Sequence, residues 1–342
     1  MNKKVYAGLS GGVDSAVCAK LLIDEGYDVT AFTLKLWNDD RFGEITEIGR
    51  ASEVASHLGI PHEVFNLSDE FYKYVVSPFG EEYMKGRTPN PCVVCNKYIK
   101  FGKVFDLIPE DAFVATGHYS SVVFEDGVYK IKKSKDIKKD QTYMHYNLTQ
   151  DNLKRIIFPL ASKTKEEVRE IAKEIGLSCH SDKDSQDICF IKNKGYKEFL
   201  KDELSLSFTP GKFVDVNGNV LGEHKGICEY TVGQRKGLGA FGKPMFVNSI
   251  NPMENTVVLG EAGTEFTNEI KVRDFNFIYE IPAEPRMLDV KVRYSQKTEK
   301  GKLIPEGDIL RIEFETPVRA AAPGQSAVFY DGEYLYGGGI II

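Results

Sequence analysis

Apolar positions in the first half of the chain switch between two periods. Val5 to Leu9 is a short apolar run. Val13, Val17 and Leu21 then recur four apart, with Cys18 and Leu22 beside them, and Val29 to Leu34 is apolar again. Short continuous runs predict buried strands, and the stripe between them predicts a helix starting near Asp14 that Gly26 closes. The alternation continues. Ile48, Ala51, Val54, Ala55 and Leu58 place a helix over Glu44 to Leu58, ended by Gly59-Ile60-Pro61. A strand follows over His62 to Leu67. Phe71 to Met84 is mixed, interrupted at Pro78-Phe79-Gly80, and Gly86 to Cys92 is a loop by composition. Ile99 to Leu107 returns to helix, and Ala112 to Thr116 to strand. Val122 to Lys133 forms a hairpin turning at Glu125-Asp126-Gly127. Thr164 caps a helix that runs to Ile175, with Glu166 and Glu167 in its first turn and Gly176 after it. Strands alternating with helices predict an α/β fold, a parallel sheet with helices on both faces. In such sheets ligands sit beyond the carboxyl ends of the strands. Two such ends stand out: the glycine turn after Leu9, and Gly117-His118-Tyr119 after Thr116.

After Pro210-Gly211 the helical period disappears. Short β-branched and aromatic runs alternate with turns at Asn217-Gly218, Asn251-Pro252, Pro305-Glu306-Gly307, Pro323-Gly324 and Asp331-Gly332. The pattern is all-β. It divides the chain into an α/β domain over 1–207, a small central β domain over 208–268 and a C-terminal β-barrel over 269–342. A length of 342 residues accommodates this.

Composition changes the picture little. Hydrophobic residues make up 42% and charged residues 27% of the chain, as in ordinary globular proteins. No apolar stretch is long enough to span a membrane, and Met1-Asn2-Lys3-Lys4 runs into a strand rather than a signal core. The expectation is a cytoplasmic protein with no membrane partner. Six cysteines in this length do not form a disulfide scaffold. Cys18 falls on the apolar stripe of the first helix, and Cys228 in an apparent strand, so both are core. A net charge of −6 argues against a general nucleic-acid coat, although local patches around Lys139 and Arg293 are basic. Taken singly, each patch reads best as solvated surface.

The stretch from Gly8 to Ser15 carries the first chemistry. A strand feeding glycines into a helix N-terminus makes an anion site, because backbone N–H groups point at the ligand. The sequence contains no Gly-Lys-Ser/Thr here and no G-x-G-x-x-G, which excludes the P-loop and the dinucleotide fingerprint. Ser10-Gly-Gly-Val-Asp-Ser15 resembles the pyrophosphate loop of the ATP pyrophosphatase superfamily, whose members adenylate an oxygen of a substrate. Cys92-Val93-Val94-Cys95 carries the second. A zinc ribbon would need another such pair, and by itself the spacing leaves metal binding and redox chemistry open.

Further motifs follow in order: Gly86-Arg-Thr-Pro-Asn-Pro91, Cys95-Asn-Lys97, Ile99-Lys-Phe101, Ala115-Thr-Gly-His-Tyr119, Lys139-Asp-Gln141, Asp184-Ser185, Ile188-Cys-Phe-Ile191, Gly233-Gln-Arg-Lys-Gly-Leu-Gly239 and Pro323-Gly-Gln-Ser-Ala-Val-Phe-Tyr330. Together with the pyrophosphate loop they resemble the tRNA-specific 2-thiouridylases, the MnmA family, from the first strand to Gly337-Gly-Gly339. The resemblance implies a Rossmann-like ATP-binding catalytic domain, a small central β domain and a tRNA-binding barrel. It implies a tRNA-uridine 2-sulfurtransferase that uses ATP, with Mg²⁺, to adenylate the C2 oxygen of a wobble uridine and replaces that oxygen with sulfur. AMP and pyrophosphate are released. Partners would be a tRNA with a wobble uridine and a sulfur donor, either a cysteine desulfurase, a relay protein or sulfide.

By matching motif, Cys95 is the nucleophile and Cys189 the persulfide carrier, and in the family these two can close into a disulfide. Gly8, Leu9, Ser10, Gly11, Gly12, Val13, Asp14 and Ser15 would hold the ATP phosphates, and Leu34 and Gly117 would contact the nucleotide. Asn90, Pro91 and Cys92 would border the target base. His118, Lys139, Asp140, Gln141, Arg293, Tyr294 and Gln325 match positions that touch tRNA. Lys97, Lys100 and Lys183 are near enough in sequence to lower a thiol pKa. Two departures stand out. Leu34 occupies a position where methionine is common, and Cys92 one where better-known members carry aspartate.

That second departure opens an alternative within the same chemistry, in which Cys92, Cys95 and Cys189 hold an iron–sulfur cluster with one iron open to hydrosulfide. Two further readings remain. An amide-forming ATP pyrophosphatase would have no use for Cys95 and Cys189. A non-catalytic tRNA-binding protein would not need an intact Ser10 to Ser15 loop.

Overall fold

The computed structural model describes residues 3–37, 47–181, 188–191 and 195–342. The expectations for Glu44 to Thr46, Lys183 and Asp184-Ser185 fall outside them. The chain divides into two compact units. One comprises Met1–Tyr74, Cys92–Gln186 and Glu333–Tyr336, the other Val75–Pro91, Asp187–Gly332 and Gly337–Ile342.

The first unit opens with β1 (Lys4–Gly8), α1 (Val13–Asp24), β2 (Asp28–Lys35), α2 (Glu47–Leu58) and β3 (His62–Asn66). Later it adds β4 (Phe113–Ala115), the hairpin β5 (Ser121–Glu125) and β6 (Val128–Lys132), and β7 (Ile156–Ile157). The sheet has the order β3-β2-β1-β4-β7 and is parallel throughout. α1 is apolar on two sides for a reason visible in its packing. Val13, Ala16 and Val17 meet Ala51, Val54 and Ala55 of α2 and Val168 and Ala172 of the Lys165–Glu174 helix. Cys18, Ala19 and Leu22 meet Val5, Ala7, Val29 and Ala115 of the sheet. A helix buried on both sides shows a broad apolar surface rather than a narrow stripe. The hairpin turns through Asp126 and Gly127, both at positive φ, as a two-residue turn between twisted strands requires.

Two local expectations differ from what is found. The C-x-x-C pair lies on a short helix, Pro91–Cys95, not in a loop. Proline fits a first helical position because the N–H it lacks would have no intrahelical partner there. A π-helical stretch, Asn96–Lys103, follows, kinked at Phe101, and then Val104–Leu107. Around Cys228 the expected strand is a 3₁₀ turn, Ile227–Glu229. The Gly226 N–H donates to His224 Nδ1 and pulls the chain out of extension.

In the second unit β8 (Gly211–Val214), β9 (Val220–His224), β10 (Met245–Asn251) and β11 (Thr256–Glu261) form a sheet ordered β10-β11-β8-β9. Next come β12 (Phe266–Phe277), β13 (Arg286–Lys291), β14 (Glu299–Glu306), β15 (Ile309–Arg319), β16 (Ser326–Asp331) and β17 (Tyr334–Ile341). Their order is β12-β15-β14-β13-β16-β17, and β12 also pairs with β17. That closes a six-stranded barrel and removes its free edges. Leu288 and Val290 on one strand, and Leu310, Ile312 and Phe314 on another, alternate inward as a strand period of two requires. Among the described residues no helix is long and apolar enough to cross a membrane.

Candidate functional site

β1 delivers the glycine loop to the start of α1. Gly12 caps that helix in extended conformation and offers no side-chain bond to its first N–H groups. The loop is tied internally instead. Ser15 Oγ donates to Gly12 O (2.9 Å) and accepts from Ser10 N (3.2 Å), while Ser10 Oγ accepts from Gly12 N (3.4 Å). The chain after β4 closes directly against this loop. A Cβ at Gly117 would stand 2.8 Å from Asp14 C and 2.9 Å from Ser15 N, so the approach admits only glycine. The two strand ends singled out in the sequence therefore form one place, with Leu34 half-buried at the end of β2.

Asp14 is held by two partners. Tyr119 Oη donates to Oδ1 at 2.8 Å, and Lys165 Nζ reaches Oδ1 and Oδ2, each at 2.7 Å. Lys165 is only 6% exposed, an unusual burial for an ammonium group, and Asp14 is the carboxylate that compensates it. The motifs did not single out Lys165, yet a signal exists. It is the first residue after the Thr164 capping box, where a lysine opposes the helix dipole. A cation placed there needs another reason.

The cysteine helix lies in chain order just before a polar cluster of the first unit. Cys95 is buried and Cys92 half-buried. Burial pushes the Cys92 thiol up, and the Lys100 ammonium pulls it back only in part. Burial thus disfavours the thiolate at this position. Lys100 acts on this thiol, while Lys97 stands over the Tyr98 ring. Lys100 Nζ is 3.4 Å from His118 Nε2, whose Nδ1 is 2.7 Å from Thr116 Oγ1. An ammonium cannot accept, so Nε2 accepts and Nδ1 carries the proton. Burial first, then Lys100 and His145, hold His118 well below the usual histidine range. His145 is fully buried and pushed down to about 3, and its Nε2 has no hydrogen-bond partner.

These two histidines give a pH signature. The unfolded chain protonates them near pH 6.5 while the folded chain does not, so the unfolded state binds more protons below that pH. Stability is full above about pH 6.5 and falls as pH drops toward the native value, by up to about 1.4 kcal/mol per unit for each group. We expect urea unfolding at pH 7.5 and 5.5 to show this loss. His145→Phe keeps the stacking on Phe158 and should reduce the difference between the two pH values.

The remaining candidates are placed as follows. Gln141 pairs twice with Tyr119, its N–H donating to Tyr119 O and its Oε1 accepting from Tyr119 N. Asp140 accepts from Ser134 N and Thr142 Oγ1. Both side chains hold the segment that carries Lys139. Arg293 Nε donates to Ala320 O (2.9 Å) and Nη2 to Val232 O (2.6 Å), with Tyr294 exposed beside it. Much of the neighbouring basic surface is ion-paired: Lys130 with Asp126, Lys132 with Glu333, Lys135 with Glu167, Arg286 with Glu280 and Asp331. Cys189 is exposed in the second unit, and the next residue, Phe190, is anchored edge-on to Phe79. Cys18 and Cys228 are buried, and burial raises both thiols, Cys228 to about 11. Among the described residues no three His, Cys, Asp or Glu side chains gather to hold a metal ion. That gives the three-cysteine cluster no support.

Comparison with known proteins gives one consistent picture. Residues 3–193 match the family described as tRNA methyl transferase HUP domain. Residues 197–261 match its PRC-barrel domain, and residues 267–341 an aminomethyltransferase beta-barrel domain. The tRNA-specific 2-thiouridylase MnmA of Clostridium acetobutylicum is 48% identical, over 100% of both chains. That of Acetivibrio thermocellus is 46% identical over 99% of each. Among solved structures, the U34-tRNA thiolase NcsA from Methanococcus maripaludis with its [4Fe-4S] cluster aligns at 21% identity and a TM-score of 0.35, covering 60% of this chain and 63% of its own.

Proposed function

This chain belongs to the MnmA family of tRNA-specific 2-thiouridylases, and from that premise we propose that it replaces the C2 oxygen of a wobble uridine in tRNA with sulfur at the expense of ATP. The observation that carries the reading is identity of 46–48% along the whole chain, together with an intact glycine loop whose Asp14 is fixed by Lys165 and Tyr119. The bounds of the three matched families support a division into an ATP-binding domain, a central β domain and a barrel.

In the proposed chemistry the uracil C2 oxygen attacks the α-phosphorus of ATP. The bond to the β-phosphate breaks, pyrophosphate leaves, and the oxygen becomes part of a phosphate leaving group. The loop from Gly8 to Ser15 binds the phosphates through backbone N–H groups at the start of α1. Mg²⁺, when bound, neutralises phosphate charge, and Asp14 is the loop carboxylate suited to face it. Gly117 closes against the loop, and Leu34 offers an apolar surface to adenine. Cys189, exposed, suits a persulfide that must be loaded by another molecule. Attack of the Cys95 thiolate on that persulfide yields a disulfide and hydrosulfide. The hydrosulfide adds at C2 and AMP departs with the former oxygen. A dithiol reductant then returns both thiols. The base must leave its stack for this chemistry, and Asn90 and Pro91 would border it.

The test is incubation with ATP, a cysteine desulfurase and cysteine to load the persulfide, a dithiol reductant and unmodified tRNA, followed by digestion to nucleosides. 2-Thiouridine appears, and it does not appear when cytidine replaces the wobble uridine. An amide-forming pyrophosphatase or a passive tRNA binder makes none.

A further inference from the structure

Three motifs far apart in the chain meet in the second unit. The Thr88 N–H donates to Pro323 O at 2.8 Å. Gln325 Nε2 donates to Thr88 O at 2.7 Å and lies 3.5 Å from Pro89 O. Thr88 Oγ1 donates to Thr231 Oγ1 at 3.1 Å. Gly324, at φ +90°, makes the approach possible, since a Cβ there would stand 2.9 Å from Thr88 N. Arg293 fastens the same junction through its bonds to Val232 O and Ala320 O. The loop needs this outside support. Thr88 to Asn90 precede the helix that Pro91 opens and have no regular structure, and Pro89 has no N–H to donate. Both backbone groups of Thr88 are instead taken by the barrel turn Pro323-Gly324-Gln325.

We propose that Gln325 is a positioning residue: its amide fixes the Thr88–Pro89 backbone and so sets where Asn90 and Pro91 stand against the target base. This rests on the function proposed above, and it reassigns a side chain whose matching position implies direct contact with tRNA. The amide donors of Gln325 are spent on the loop. Its loss therefore acts on the chemical step, through a displaced base border, more than on RNA affinity.

The experiment uses the full chain. Hydrogen exchange at the Thr88 amide is followed without tRNA, and kcat and tRNA dissociation constants are measured for three variants. Gln325→Glu keeps the shape but removes the donor, Gln325→Ala removes the side chain, and Gln325→Lys keeps a donor at that reach. Thr88 should lose protection in Gln325→Glu and Gln325→Ala and keep it in Gln325→Lys. In the first two, kcat should fall about 10- to 100-fold, the scale of a small misplacement of reacting groups, with tRNA affinity unchanged. Unchanged exchange at Thr88, loss of protection in all three, or a loss confined to tRNA affinity overturns the proposal. Failure of the wild-type chain to make 2-thiouridine would contradict the function instead, because the exchange readout needs no activity.

Discussion

Cys95→Ala and Cys189→Ala should form no 2-thiouridine, yet both should release pyrophosphate when given ATP and tRNA. The separation follows from the order of steps. Adenylation needs the uracil oxygen, the α-phosphorus and the glycine loop, none of which involves a thiol. With a loaded persulfide as the only sulfur source, sulfur delivery needs both the Cys189 thiol that carries the sulfur and the Cys95 thiolate that releases it as hydrosulfide, so losing either should stop transfer. For Cys92→Ala we expect thiolation to remain, because the persulfide route uses only Cys95 and Cys189. Loss of pyrophosphate release in Cys95→Ala would place that residue in the first step and contradict these roles. Loss of thiolation in Cys92→Ala, with iron lost alongside, would favour the cluster over the persulfide.

Lys165→Met should slow pyrophosphate release by about 100-fold or more, on the scale expected when a phosphate-facing group is misplaced. Lys165 Nζ reaches both carboxylate oxygens of Asp14, so it sets the angle at which that carboxylate faces the nucleotide. Breaking a buried pair also costs stability, about 3–5 kcal/mol where the remaining charge stays uncompensated. Asp14 is partly exposed and keeps Tyr119, so the actual cost lies below that range. The double variant Asp14→Asn, Lys165→Met separates orientation from simple damage. Residues acting as one unit are non-additive, and the double variant should be no slower than Asp14→Asn alone. Fully additive losses in pyrophosphate release, with folding checked by near-ultraviolet circular dichroism, would show that Lys165 acts independently of Asp14.

What could be read in the sequence was local. The period of α1, the Thr164 capping box, the Asp126-Gly127 turn and the Ser10 to Ser15 loop depend on neighbours within a few residues. What could not be read depends on partners far along the chain. β7 is a two-residue strand that exists because Ile156 and Ile157 pair with β4. No period shows in so short a segment. Lys165 is 151 residues from Asp14, and Gln325 is 237 from Thr88. Arg293 reads as a surface cation but spends its guanidinium on two carbonyls, which makes charge reversal there a test of the junction as much as of RNA binding. The cysteine helix was missed for a different reason. Pro89 just before it and Pro91 at its start carry a loop signature, although Pro91 stands where a helix accepts one.

The central claim is that ATP activates the uracil C2 oxygen, and isotopic labelling tests it most directly. A tRNA carrying ¹⁸O at C2 of the wobble uridine is thiolated with unlabelled ATP, and the products are weighed by mass spectrometry. Each 2-thiouridine should be matched by one AMP carrying the ¹⁸O in its phosphate, with pyrophosphate unlabelled. Unlabelled AMP, or ADP as the nucleotide product, would contradict it.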